Sequence, residues 1–308
     1  MFKLKTPYKP RVIQSADIED NKILLSSIQS ADIEDNKILL SEKFFVTYTN
    51  PKYFNIVYYL IKGIDLYSNI PIIIYIVNTP GQKIPLPDKF KIFKNIIVRY
   101  ILSSDHIWAS KFTVLCKSIE LVNNNQAKLI YLDADTIVNY SIDELFEYSN
   151  KVDNVPYLSL HPDYLVTVNS LRDVLGKGKK IEFNKQWGHS NIIWYNNNCM
   201  DILKEGYSLI IRHRGLGDEQ VINYLQNKNN LLENVPYMTP NFKLSEKYIK
   251  KHNFIDHIGK KKSGVYFEEI FLHLFHGCKD PDVCDNIFNK LKEFNRTNID
   301  YQIHYKII

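Results

Sequence analysis

The chain has few cysteines, no long apolar run and little excess charge. Cys116, Cys199, Cys278 and Cys284 are its four cysteines, and none forms a Cys-x-x-Cys pair. That spacing argues against a disulfide framework and points to reduced thiols in a cytoplasmic setting. His273 and His276 lie near the last two cysteines, but structural zinc sites pair their cysteines two to four residues apart. No stretch approaches about 18 uninterrupted apolar residues, so no membrane span is expected. The opening MFKLKTPYKPRV lacks the apolar core of a secretory signal. The net charge is +5, and the lysines are scattered apart from Lys177–Lys180 and Lys260–Lys262. A nucleic-acid partner is therefore not expected, and anionic small substrates suit the balance equally well.

Hydrophobic residues make up 45% of the 308 positions and aromatics 13%, which is ample for a sheet-and-helix core. The length suits one α/β domain of about 250 residues with appendages. The segment IQSADIEDNKILLS occurs twice without change, at 13–26 and 28–41. Two copies are too few for a solenoid, which needs about three or more units. Residues 1–42 are thus expected to be an N-terminal extension, with one copy packed near the first strand and the other inserted. From 43 onward, apolar β-favouring runs at 44–48, 71–77, 96–100 and 128–132 alternate with helical periodicity at 53–68 and 111–123. Further strands are expected at 157–160 and 191–195, and a helix at 218–226. This alternation predicts a mostly parallel sheet flanked by helices. No composition shift marks a second domain, so 43–295 is expected to fold as one domain, with 296–308 as a tail.

The stretch from Lys128 to Phe146, KLIYLDADTIVNYSIDELF, carries the most chemistry. Asp133 and Asp135 follow an apolar strand, at the carboxyl end where open α/β sheets bind ligands. Side chains at i and i+2 of an extended segment point the same way, so both carboxylates could reach one hard cation. Such a cation would neutralise a departing pyrophosphate. Ser141 and Glu144 have capping-box spacing and are expected to open a helix. Alone, the pattern fits any acidic turn after a strand. It also fits the Asp-x-Asp-x-Thr/Val signature of haloacid-dehalogenase phosphatases.

Six segments together resemble the glycogenin-like retaining glycosyltransferases of family 8, which have the GT-A fold. They are FVTYTNPKYF, Ser110-Lys111-Phe112, the Asp-x-Asp with its following IDELF, HSNIIWYNNN, GDEQVIN and LHLFHGCKDP, in that order. The resemblance implies a Rossmann-like nucleotide-binding domain. It places Thr47, Tyr48, Thr49, Asn50 and Tyr53 at the uridine, and Lys111, Gly277 and Lys279 at the donor and its diphosphate. It gives Asp133, Ala134 and Asp135 to the metal-diphosphate turn, with Asp133, Asp135 and His276 as the ligands of Mn2+ or Mg2+. His273 is the alternative third ligand. Asn191 would contact the donor sugar, and Asp218 with Glu219 would lie near the anomeric carbon. Two departures stand out: Ile193 replaces a glycine of the family pattern, and Glu219 replaces a glutamine.

The implied activity is metal-dependent transfer of a hexose from a UDP-sugar to a hydroxyl of a glycan or protein, with retention of configuration. Homodimerisation is compatible with the sequence. The order of motifs argues against the phosphatase, which places its Asp-x-Asp near the start, whereas about 130 residues precede it here. The alternative from another functional class is a catalytically weak UDP-sugar or glycan-binding module, for which Ile193 and Glu219 speak.

Overall fold

The computed structural model describes residues 41–80, 82–102, 108–138, 142–160, 188–213 and 215–229, the strand backbones 265–267 and 271–274, and the single residues 39, 231, 285, 288 and 289. The chain divides into two units, Met1–Leu40 and Ser41–Ile308. Both copies of the duplicated segment, apart from residues 39 and 41, lie outside the described residues, as does 296–308.

The second unit opens with β1 (Lys43–Thr49), a 3-10 turn (Pro51–Tyr53), α1 (Phe54–Tyr67), β2 (Ile72–Asn78), a 3-10 helix (Asp88–Ile92) and β3 (Ile96–Leu102). There follow α2 (Ala109–Val122), β4 (Lys128–Leu132), β5 (Thr136–Val138), a 3-10 helix (Asp143–Lys151), β6 (Tyr157–Leu160) and β7 (Gly188–Tyr195). After a 3-10 turn (Asn197–Cys199) come α3 (Met200–Arg212), α4 (Asp218–Lys228), β8 (Val265–Phe267) and β9 (Phe271–Leu274). Six strands form one sheet in the order β3-β2-β1-β4-β7-β6, and β5-β9-β8 form a second. The first four strands of the large sheet are parallel; β7 and β6 join antiparallel. This is the mostly parallel α/β sheet that the alternating sequence predicts.

The central strands read as continuous apolar runs because both of their faces are covered. Phe44, Phe45 and Val46 of β1 and Ile73, Ile74 and Ile76 of β2 are fully buried. Helix α1 brings Tyr58 against Phe90 and Phe93 of the β2–β3 connection, with ring centroids 5.5 and 5.6 Å away. Helix α2 buries Phe112, Val114 and Leu115 and packs against α3. Among the described residues no helix is long and apolar enough to cross a membrane.

The segment after β5 departs from expectation. It forms a 3-10 helix from Asp143, and Ile142 at its N-cap makes no side-chain cap. Ser141 lies outside the described residues. The helix start is instead tied to the fold by Asp143, whose Oδ1 accepts a 2.5 Å hydrogen bond from Ser68 Oγ just beyond α1. That tertiary bond joins two segments 75 residues apart, which spacing alone does not reveal.

Two glycines permit the closest helix packing. A Cβ on Gly206 of α3 would lie 2.2 Å from the Phe112 ring, and one on Gly63 of α1 would lie 2.5 Å from the Val138 carbonyl oxygen. The Phe112 ring is itself fully buried and has nowhere to retreat. Gly206→Ala is therefore expected to lower the unfolding free energy by about 1–3 kcal/mol, the usual cost of overpacking, as read from urea denaturation. An unchanged midpoint would show that α2 and α3 are not packed this closely.

Candidate functional site

The strand order places a topological switch between β1 and β4. From β1 the chain steps outward through β2 and β3, then returns so that β4 lies on the other side of β1. With right-handed crossovers, the two connections leave on opposite faces and open a crevice at the carboxyl ends of these strands. A cavity of about 910 Å³ lies there, within the usual range for ligand sites. Its walls come from the ends of β1, β2 and β4, the starts of α2 and α4, and β7.

Tyr48, Thr49, Asn50 and Tyr53 line it at the end of β1. Asn50 caps the Pro51–Tyr53 turn, its Oδ1 accepting from the Lys52 N–H at 3.0 Å. Pro51 suits that first turn, where no backbone donor is needed. Thr47 does not line the cavity. It lies within β1, fully buried, and its hydroxyl has no hydrogen-bond partner among the described residues.

Asp133, Ala134 and Asp135 line the cavity together. They do so from a turn, not from an extended strand: the Thr136 N–H donates to the Asp133 carbonyl at 3.1 Å. The two carboxylates thus share a wall because the chain reverses there, which corrects the strand-alternation argument. The turn is anchored to β7 by the Asp133 N–H, which donates to the Asn191 carbonyl at 2.9 Å.

Lys111, at the start of α2, is the centre of the charged end. Its Nζ lies 3.0 Å from Asp133 Oδ1 and is also paired with Asp218 Oδ2. The ammonium donates to the Ser190 carbonyl at 3.1 Å and to Ser190 Oγ at 3.3 Å. It sits 5.0 Å from the centre of the Tyr131 ring. Burial disfavours its charge, but Asp133 and Asp218 overcome that and raise its pKa above the ordinary lysine value. Tyr131 donates to Asp133 Oδ1 at 2.7 Å. Burial foremost, and then Asp133, push the Tyr131 phenol well above its usual range, so it stays a donor.

Asp218 and Glu219 open α4 and line the cavity. Helix α4 is fixed against β7 by buried Asn223, which accepts from the Gly188 N–H at 2.8 Å and donates to the Gly188 carbonyl at 2.7 Å. Ser190 Oγ donates to Asp218 Oδ2 at 2.9 Å, and the Ser190 N–H donates to Glu219 Oε2 at 3.4 Å. His189 Nε2 lies 3.8 Å from the same Glu219 oxygen.

Asn191 does not line the cavity. It is fully buried, and its Oδ1 accepts from Ser159 Oγ at 2.9 Å. Successive strand side chains point to opposite faces, so Ser190 reaches the cavity in its place. Ile193 is likewise buried in the β4–β7 ladder opposite Tyr131, away from the cavity lining. His276, Gly277 and Lys279 lie outside the described residues. Strand β9 nevertheless pairs with β5 so that His273 stands opposite Thr136, next to the Asp133–Asp135 turn. Among the described residues, no three His, Cys, Asp or Glu side chains are grouped to hold a metal.

Several lining residues escape a reading of the sequence: Ser190, Tyr131, Gln220, and a far wall of Asn78, Thr79, Gln82, Ile84 and Trp108. Asn78 ends an apolar strand, which is a signal of placement though not of role. Ile84 and Trp108 are 37% and 44% exposed and give that wall an apolar face.

No family model matches the chain, and no curated protein resembles it in sequence. Among solved structures, the apo-form glycosyltransferase GlyE of Streptococcus pneumoniae TIGR4 is similar, with a TM-score of 0.45 and 16% identity. The match covers 83% of this chain and 64% of that one, so the chain spans less than two thirds of the length of that structure.

The Asp218 carboxyl sits below the ordinary carboxylate range. Burial pushes it up, but the Lys111 ammonium and the hydrogen bonds from Lys111 and Ser190 outweigh that. A depressed native pKa contributes stability that is present above the unfolded value of about 3.9 and lost as pH falls through the lower native value. Melting temperature should therefore drop as pH falls below about 4, and Asp218→Asn should flatten that acid limb. Lys111→Met removes the cation from two carboxylates and should cost about 3–5 kcal/mol at neutral pH, measured by denaturant unfolding. A loss near zero would mean that Lys111 is not buried between them.

Proposed function

We propose that the chain is a metal-dependent glycosyltransferase of the GT-A type. In this reading it moves a hexose from a UDP-sugar to a hydroxyl of a glycan or protein with retention of configuration, as the glycogenin-like family 8 enzymes do. One observation carries the reading: the cavity at the switch point gathers Asp133, Asp135, Lys111, Asp218 and Glu219 at one end and neutral polar groups at the other.

The residues present fit a divalent cation. Four carboxylates line the cavity against two ammonium groups, one of them Lys52 exposed at its edge. Asp133 and Asp135 come from one turn, and β9 carries His273 past it, which brings the His273 to His276 segment into consideration for the third ligand. Mn2+ or Mg2+ would be held by Asp133, Asp135 and His276 or His273. When bound, the cation supplies charge neutralisation for the diphosphate leaving group.

The chain's own groups take the remaining tasks. Tyr48, Thr49, Asn50 and Tyr53 would hold the base, with aromatic faces and amide or hydroxyl edges. Lys111 draws Asp133 and Asp218 together at the charged end. Asp218 and Glu219 present negative charge where positive charge develops at the anomeric carbon. Ala134 leaves the metal turn sterically open, and Gly277 and Lys279 are proposed for the diphosphate by resemblance.

The test is UDP release from a panel of UDP-sugars with Mn2+, in the wild-type chain, in Asp135→Ala, and with the metal chelated. Release should fall by roughly 100-fold or more in both controls, since about 3 kcal/mol of leaving-group stabilisation corresponds to that factor. UDP bound without release in the wild type would support a sugar-nucleotide-binding module instead.

A further inference from the structure

We propose that Ser190 is a positioning residue of this site, one that sets the orientation of Asp218 and Lys111 for turnover. The proposal rests on the transferase reading above. Ser190 touches three charged groups at once. Its hydroxyl donates to Asp218 Oδ2 at 2.9 Å and accepts from Lys111 Nζ at 3.3 Å. Its carbonyl accepts from the same ammonium at 3.1 Å, and its N–H donates to Glu219 Oε2 at 3.4 Å.

The physical need for such a residue follows from the charges. An ammonium attracts two carboxylates almost without direction, so an ion pair alone leaves Asp218 free to rotate about its side-chain torsions. A hydroxyl has one proton to give. With that proton committed to Asp218 and a lone pair turned to Lys111, the carboxylate plane is fixed relative to the cavity. Ser190 is 5% exposed and sits in β7, a strand with six consecutive buried residues from Ser190 to Tyr195. It is therefore a rigid mount, and a displacement of Asp218 by a fraction of an ångström would be felt in the rate.

Ser190→Ala isolates the hydroxyl, because both backbone bonds to Lys111 and Glu219 remain. The expected result is a kcat for UDP-sugar turnover lower by roughly 10–100-fold, the usual effect of losing an outer partner of a reacting group. KM for the donor should stay near wild type, while the melting temperature falls by a few degrees as the buried Asp218 carboxylate loses a hydrogen bond. Ser190→Thr keeps the hydroxyl on a β-branched side chain suited to a strand and should recover most of the rate. A wild-type kcat in Ser190→Ala, or a Ser190→Thr as slow as Ser190→Ala, overturns the proposal while leaving the transferase reading standing. A rise in KM with kcat unchanged also overturns it, since that marks donor binding and not orientation. Absence of turnover by the wild-type chain with every donor removes the transferase reading and this inference with it.

Discussion

The site depends on one buried ammonium held between two carboxylates. Lys111 is 4% exposed, and removing a charge of either sign from water costs several kcal/mol unless it is paired and hydrogen-bonded. Here the cost is offset from four directions: Asp133 from the turn after β4, Asp218 from the first turn of α4, Ser190 from β7, and the face of Tyr131. An ammonium has three protons to donate, and these partners suffice to take them all. Lys111 thus acts as a fixed internal charge joining four elements. Its field extends into the cavity, but its geometry belongs to the protein.

This arrangement explains why the cavity is polarised. Its charged end forms where β4, β7 and α4 converge on Lys111, and its other end forms where β1 and β2 finish side by side in parallel register. That second end carries Thr49, Asn50, Asn78, Thr79 and Gln82, with Tyr53, Ile84 and Trp108 among them. Asn78 and Thr79 are also internal braces: Asn78 Oδ1 accepts from the Ile84 N–H at 3.4 Å, and Thr79 Oγ1 donates to Gln82 Oε1 at 3.0 Å. Carboxylates outnumber ammonium groups at the first end, so a ligand that brings positive charge there, its own or a bound cation's, and a neutral polar group to the second end is complementary to such a gradient.

The elements of the large sheet were legible in the sequence because each is a short, strongly patterned run. The expected strand at 71–77 and the observed Ile72–Asn78 differ by one residue, since a β-branched run between turn residues has little choice of conformation. The acidic pair at the end of β4 was legible for the same reason. What could not be read was which face each side chain takes near the site. In HSN, the sequence offers three polar residues in a row, and the choice between Ser190 and Asn191 depends on the register of β7 against β4. A shift of one residue exchanges the faces. The pattern of the glycogenin-like enzymes that the sequence resembles favours asparagine, whereas the register gives the cavity to serine and turns Asn191 toward Ser159. The far wall was illegible for a different reason: Trp108 is remote in sequence from Asn78 and Gln82, and the three acquire meaning only from the adjacency of β2, β1 and α2.

Glu219 shows how the same packing separates two neighbouring carboxylates. Asp218 and Glu219 are consecutive in the first turn of α4, where the helix dipole favours negative charge on both. Asp218 is turned onto the Lys111 ammonium and still lines the cavity. Glu219 leans on the Ser190 N–H and approaches an imidazole, His189, at 3.8 Å. Both carboxylates line the cavity, Asp218 held by an ammonium and a hydroxyl and Glu219 by a backbone N–H of β7. A glutamate at 219, where the glycogenin-like pattern that the sequence resembles has glutamine, adds a negative charge to the cavity wall beside Asp218.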